Sequence, residues 1–595
     1  MLLLQLAAQG RLRMLEYFEA EMRLLHDVAQ EFSLAFPEQA KLLNLENLKD
    51  RDPYVERLLE GMAFLSAQIR QRIDDDLPEV SEGLLNLLWP HFLRPLPSLT
   101  ILEFMPRLGQ LQQTQVLAKH TTALATPVTA ETLVGKETVT CRFRTTYPLA
   151  IHPIRLAKVT AEQRSSGGTL IKFKFEADPG VKLDSLDLKR LPLYIHADPS
   201  VAALVYKAMA GSTHLVQVRF PELPLKEPHR LGGQGCVQPC HLAPDEALIP
   251  LSGRSFFGFH LLHEYFAFRE KYLFVALEGL DIITWPGKIR EFEIEVHTAD
   301  IFPGEVSVSA EMFKLYCCPA INLFKRPAEP VRLTQKRYEY PVVADAHYRY
   351  STEVYSVDSI TSMDAKTGER NDYLPLYSFK HEKTGRSYSS SRRVLGSGRP
   401  ETYITVSDNG KFREQSLSCE ITASNGHIPR AHLQIGSITT PGSDCPGYVS
   451  LRNITRPTRM LVPPERDAYQ WSLISHLAMN FSSLADTDVL RRLLSLYEWT
   501  QDESNKRRIK GLEVESCKPA EMVRHGALMR GTEFKLSMND ASYGSIADSY
   551  LFGMVLHRFF SSYANINTFT RTRVHTHPSN LEFQWQPMFG EASRS

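Results

Sequence analysis

The chain has 595 residues, 43% of them apolar and 10% aromatic, and its 68 Lys and Arg balance its 68 Asp and Glu. That apolar content suffices for several cores and excludes global disorder, and zero net charge excludes a chain-wide basic footprint for nucleic acid. At ~150 residues per domain, the length predicts about four domains.

Eight irregularly spaced Cys argue for reduced thiols in a cytosol rather than a disulfide scaffold. The short apolar start has no basic residue before it and reads as a poor signal peptide; residues 1–13, ahead of the first patterned helix, read as an extension or a misplaced start. No run of 18 apolar residues occurs, so no membrane-spanning helix is expected.

In chain order, residues 1–98 read as a helical assembly region. Leu15, Phe18, Met22, Leu25, Ala29, Phe32 and Phe36 alternate in steps of three and four, an a/d seam that Pro37 ends. Asp52 and Pro53 open a second helix with the same spacing at Val55, Leu58, Met62, Leu65 and Ile69. Leu77, Pro78 and Glu79 open a shorter third helix, and Pro90, Pro95 and Pro97 end the helical part. An intrachain core and a seam completed by another chain both fit these helices, although so few would make a small bundle alone.

Residues 99–310 read as a mainly β domain. Apolar and polar residues alternate over Leu170–Glu176, Val216–Phe220 and Phe292–His297, the period of half-buried strands. Residues 311–468 predict a second mainly β domain, with the polar, Ser- and Gly-rich stretch 361–400 as a long exposed excursion. Residues 469–595 predict a C-terminal α/β domain. In it Leu490, Leu493, Leu494 and Tyr497 share a helix face, 533–538 is strand-like, and Leu551–Tyr563 is a helix apolar over more than half its surface. The fold class is therefore α+β, multidomain.

Catalytic signatures are absent: no phosphate loop, no zinc-protease helix and no nucleophile elbow. Gly396–Gly398 is too short for a dinucleotide fingerprint. His229, Cys236, Cys240 and His241 have zinc-type chemistry, but adjacent Cys240 and His241 point apart in extended chain. His575 and His577 share a strand face without a third ligand. Cys317 and Cys318 read as a buried strand end. Asp74, Asp75 and Asp76 fan around a helix end, and Lys506–Lys510 reads as a solvated basic connector. No catalytic residue, cofactor or metal is expected.

Several segments together resemble a known family. Tyr17, Phe18, Glu19 and Glu21, the run Asp52–Leu65, Asp74–Glu79 and Leu88–Ser98 are similar to the opening of the type VI secretion baseplate subunits called TssF, VasA or ImpG. Glu264–Phe268 with Lys271 and Phe274, Asn322–Phe324, Ala328–Leu333, Tyr340–Val343 and Glu353–Val357 continue it. Leu473–Leu477, Arg530–Glu533, Tyr550–Gly553 and Asn565–Thr570 complete it. The matches run in order from about residue 14. Two departures stand out: residues 1–13 have no counterpart, and the usual paired glycine is Gly544-Ser545.

The resemblance implies a non-enzymatic wedge subunit of a contractile injection machine in the bacterial cytoplasm, docked with the baseplate at the inner membrane. It implies two copies joined to one TssG, with TssK and TssE, around a VgrG spike and beneath an inner-membrane complex, without nucleic acid or direct membrane insertion. Phe18, Met22, Leu25, Phe32, Val55, Leu58, Met62, Leu65 and Ile69 are then the expected partner-binding seam, an assignment from their spacing. The rivals are a contractile phage tail baseplate protein and a metal-dependent hydrolase.

Overall fold

The computed structural model describes residues 53–590, except 77, 133–134, 224–226, 234, 251–255, 288, 305, 335, 365–367, 369, 377–384, 395–399, 409–414, 465–468, 477–480 and 525, together with residues 18, 19, 21, 22 and 25. The latter five are helical, as the first seam predicts; the rest of that seam, Phe32 included, lies outside the described residues. Helix α1 (Pro53–Asp76) and helix α2 (Pro78–Leu88) follow. Each opens on a proline, whose fixed φ and missing N–H suit the first turn. The turn Pro90–Leu93 then carries the chain into the body.

A six-stranded sheet lies in the body, in the order Ile438–Pro441, Thr122–Ala125, Arg142–Thr145, Cys317–Ile321, Leu99–Pro106 and Val449–Asn453. It gathers strands from both predicted β regions. Leu99–Phe104 is buried without a break, Thr100 and Glu103 included, because neighbours pair on both sides and both faces are covered.

The predicted alternating strands sit together in a five-stranded sheet, where Thr169–Ala177 pairs with Glu291–Thr298, and the latter with Thr213–Arg219. Their apolar sides converge: the Phe175 and Phe292 rings stack at 5.0 Å. Helix α3 (Pro199–Gly211) and helix α4 (Phe257–Ala267) pack within the same core, and every residue from Phe257 to Phe266 is buried.

A second, smaller core lies between Ala328 and Ala423. Here the structure departs from the expected excursion at 361–400. Its described residues are mostly strand: the end of Glu353–Asp364, then Arg370–Pro375 and Arg386–Val394. Arg386–Val394 pairs along its length with Pro400–Asp408, and Tyr388 is buried. Its serines and arginines hide this strand, because polar residues on both of its half-buried sides leave no apolar alternation to read.

In the C-terminal part, helix α5 (Thr487–Tyr497) buries the four predicted residues Leu490, Leu493, Leu494 and Tyr497. The supposed basic connector is helix α6 (Glu503–Lys510), started by the Asp502 side chain, which accepts from Ser504 N at 3.1 Å. Two 13-residue strands, Leu512–Arg524 and Ala527–Asn539, form a hairpin that pairs in parallel with Thr568–His577. Helix α7 (Ile546–Ser561) is buried on almost every side, as its all-round apolar pattern predicts. Ser545 caps α7, its hydroxyl accepting from Asp548 N at 3.2 Å. Among the described residues no helix is long and apolar enough to cross a membrane.

Candidate assembly surface

On α1, successive residues turn by about 100°, so Leu58, Met62 and Leu65 lie within about 60° of one another, and Ala63 and Ala67 lie on the opposite side. The structure separates the two faces sharply. Ala63 and Ala67 are fully buried, whereas Leu58 is 71%, Met62 54% and Leu65 60% exposed. Phe64 is also exposed, about 100° round the helix from Leu65. The helix thus docks through two small residues and leaves its large apolar ones in solvent. Phe18, Met22 and Leu25 are half-buried. Val55 and Ile69 fall within α1, but their side chains lie outside the described residues.

The stripe is held in place by an aromatic plug. Trp89 and Phe92, at the turn after α2, insert between α4 and the C-terminal helices. Trp89 meets Phe259 edge-on at 5.3 Å, and Phe92 lies 5.1 Å from Tyr497. Backbone bonds Leu96 N to Leu461 O (2.7 Å) and Leu461 N to Leu96 O (2.9 Å) clamp the chain just beyond.

Three histidines, His91, His260 and His263, belong to this plug. The His91 and His260 rings lie 3.6 Å apart, and His263 lies 4.1 Å from Trp499. Both nitrogens of each ring are buried without a hydrogen bond. Burial pushes His260 and His263 down to about 3 and lowers His91 strongly, so all three are neutral at pH 7.

Two buried charge clusters stiffen the support. Glu264 on α4 accepts from Leu248 N (2.8 Å) and Ile249 N (3.1 Å) with Oε1 and from the Lys271 ammonium with Oε2. Both side chains of that pair are 0% exposed. Asp548 on α7 receives Arg508 Nε at 2.8 Å and the Arg269 guanidinium. Arg508 thus anchors α6 to α7, a role invisible in a run of basic residues.

The metal candidates do not converge. His241 is buried between Tyr147 (4.6 Å) and Phe274 (4.5 Å), while the Cys240 thiol sits beside Arg190 Nη2 at 3.4 Å. Burial raises the Cys240 thiol to about 12. Cys236 contacts Leu231 O at 3.4 Å, and His229 lies on a separate strand. His575 Nε2 meets Asn580 Oδ1 at 2.7 Å. Among the described residues no three His, Cys, Asp or Glu side chains are grouped to hold a metal. Cys317 and Cys318 lie buried in strand Cys317–Ile321, as read. Asp74–Asp76 end α1 with side chains outside the described residues, and Gly396–Gly398 is also outside them.

Residues 11–592 match the family model for the type VI secretion system protein TssF. The chain is 28% identical to the type VI secretion system component TssF1 of Pseudomonas aeruginosa, over 96% of this chain and 98% of that protein. A chain of a TssK-TssF-TssG baseplate subcomplex solved by cryo-electron microscopy superposes with a TM-score of 0.77 at 31% identity, covering 89% of this chain and 98% of that one. A chain of a baseplate complex from the type VI secretion system superposes with a TM-score of 0.62 at 26% identity, covering 98% of this chain and 100% of that one.

Proposed function

The chain belongs to the TssF family of type VI secretion baseplate subunits, and from that premise we propose that it acts as a non-enzymatic wedge scaffold. Two copies join one TssG through their N-terminal helices, and TssK and TssE complete a wedge placed around a VgrG spike. The wedge works in the bacterial cytoplasm, with the baseplate docked at the inner membrane. The similar baseplate subcomplex that holds TssK and TssG beside TssF supports the two nearest partners.

The observation that carries this reading is the α1 stripe. A helix that buries Ala63 and Ala67 yet exposes Leu58, Met62 and Leu65 has its apolar seam on the side that the described residues leave open. Seam burial at about 25 cal/mol per Å², less the cost of association, supplies the binding free energy. Phe18, Met22, Leu25, Phe32, Val55 and Ile69 extend the seam in this proposal.

The test is Met62→Asp with Leu65→Asp, co-expressed with TssG. Both residues are exposed, so the β modules keep their melting transition while TssG no longer co-purifies. Co-purification at unchanged stoichiometry refutes the seam.

A further inference from the structure

The plug that seats α2 on the body is built around histidine. His91 comes from the turn Pro90–Leu93, whereas His260 and His263 lie one helical turn apart on α4 and so share a face. The rings meet in one place. His91 packs on His260 at 3.6 Å, and Phe92 lies 6.0 Å from His260 and 5.8 Å from His263. Trp499 closes the far side, 4.1 Å from His263 and 6.4 Å from Phe92.

Among the described residues, nothing at this contact is placed to receive a positive charge. All six ring nitrogens are buried with no hydrogen-bond partner. The charged groups that act on the rings are cations: Arg94 and the other two histidines on His91, and Lys271 and His263 on His260. Arg94 is itself held over the Tyr355 ring at 5.5 Å. The nearby carboxylates are engaged elsewhere. Glu264 serves Leu248 N, Ile249 N and Lys271, and Glu498, next to Trp499, accepts from the Thr500 hydroxyl and from Gln501 N at 3.0 Å. His476, just after helix Tyr469–Ser475, lies 3.0 Å from the Tyr497 hydroxyl and belongs to the body. A proton on any of the three rings would be an unpaired buried charge among other cations, so the rings accept one only when the plug is withdrawn.

We propose that this histidine plug is an acid-sensitive latch: protonation of His91, His260 and His263 accompanies withdrawal of the turn Pro90–Leu93, which releases α2, and α1 with it, on a hinge at the Leu96–Leu461 clamp. The two backbone bonds of that clamp keep the released helices tethered. The latch governs how the arm is held and not what α1 binds, so retention or loss of TssG co-purification leaves it untouched.

Hydrogen exchange of the full chain, followed by mass spectrometry at pH 7.5 and 5.5 and corrected for the intrinsic pH dependence of exchange, tests the latch. With a released-state pKa of about 6.5, each ring raises the opening constant about tenfold between these pH values, so exchange over residues 78–93 rises about a thousandfold. In His91→Phe and in His260→Phe, which keep an aromatic ring in the plug, the rise falls to about a hundredfold. Exchange over α2 is also faster than over α7 at both pH values, because the latch opens without unfolding the body. A common exchange rate for α2 and α7, or an unchanged pH dependence in either folded variant, overturns the proposal. The two substitutions are independent, so one folded variant suffices.

Discussion

Replacing Lys271 by Met is expected to destabilise the body by about 3 kcal/mol, and Glu264→Gln by about 5, while the double variant is near wild type. The asymmetry follows from who else touches each group. Without Lys271, the Glu264 carboxylate keeps its bonds to Leu248 N and Ile249 N, so its loss lies at the lower end of the ~3–5 kcal/mol cost of a broken buried pair. Without the Glu264 charge, the Lys271 ammonium keeps, among the described residues, the Tyr272 ring 5.3 Å away, and its loss lies at the upper end. In Glu264→Gln with Lys271→Met no buried charge remains, and the Gln carbonyl still accepts from the two backbone amides. The expected residual cost is about 1 kcal/mol from imperfect packing, so the two substitutions should be non-additive by several kcal/mol. Calorimetric melting of the full chain, read at the body transition, measures all four proteins. Additive losses in the double variant, or single losses both below about 1 kcal/mol, refute the reasoning.

Further outcomes follow from the same structure. The folded-state pKa of His260 and of His263 is about 3, against about 6.5 unfolded, so the unfolded chain binds more protons in between. Their stability contribution is complete above pH 6.5 and is lost as pH falls toward 3, about 2 kcal/mol each by pH 5. Melting of His263→Phe should show a shallower loss between pH 6.5 and 4.5 than the parent, and parallel curves would count against it. A Cβ at Gly553 would lie 2.5 Å from the Trp585 ring and 3.2 Å from Val574. Gly553→Ala should therefore cost about 1–3 kcal/mol by overpacking α7 against strand Thr568–His577, visible as a lowered melting temperature. Asp548→Asn, which leaves Arg508 and Arg269 without their charge partner, should loosen α6 from α7 and raise amide exchange over Glu503–Lys510.

Local pattern was enough to find the helices at Pro53–Asp76, Pro78–Leu88, Thr487–Tyr497 and Ile546–Ser561, and the alternating strands around Phe173, Val216 and Ile294. Prolines, caps and periods of 3.6 or 2 act over one or two turns, so they are written in neighbouring residues. The ordered motifs likewise pointed to the family. Other features were settled only in three dimensions. Periodicity places Leu58, Met62 and Leu65 on one face of α1, but only packing shows that Ala63 and Ala67 take the inside. Sheet partners such as Leu99–Pro106, Cys317–Ile321 and Val449–Asn453 stand hundreds of residues apart, and nothing in a strand's own sequence names its neighbour. The Ser-rich strand Arg386–Val394 was hidden because polar residues on both of its sides leave no apolar alternation to read. Arg508 looked like one base in a solvated run, and its partner, Asp548, lies on another element, α7. Burial and charge pairing are properties of surfaces that the folded chain brings together, so they became visible only where those surfaces meet.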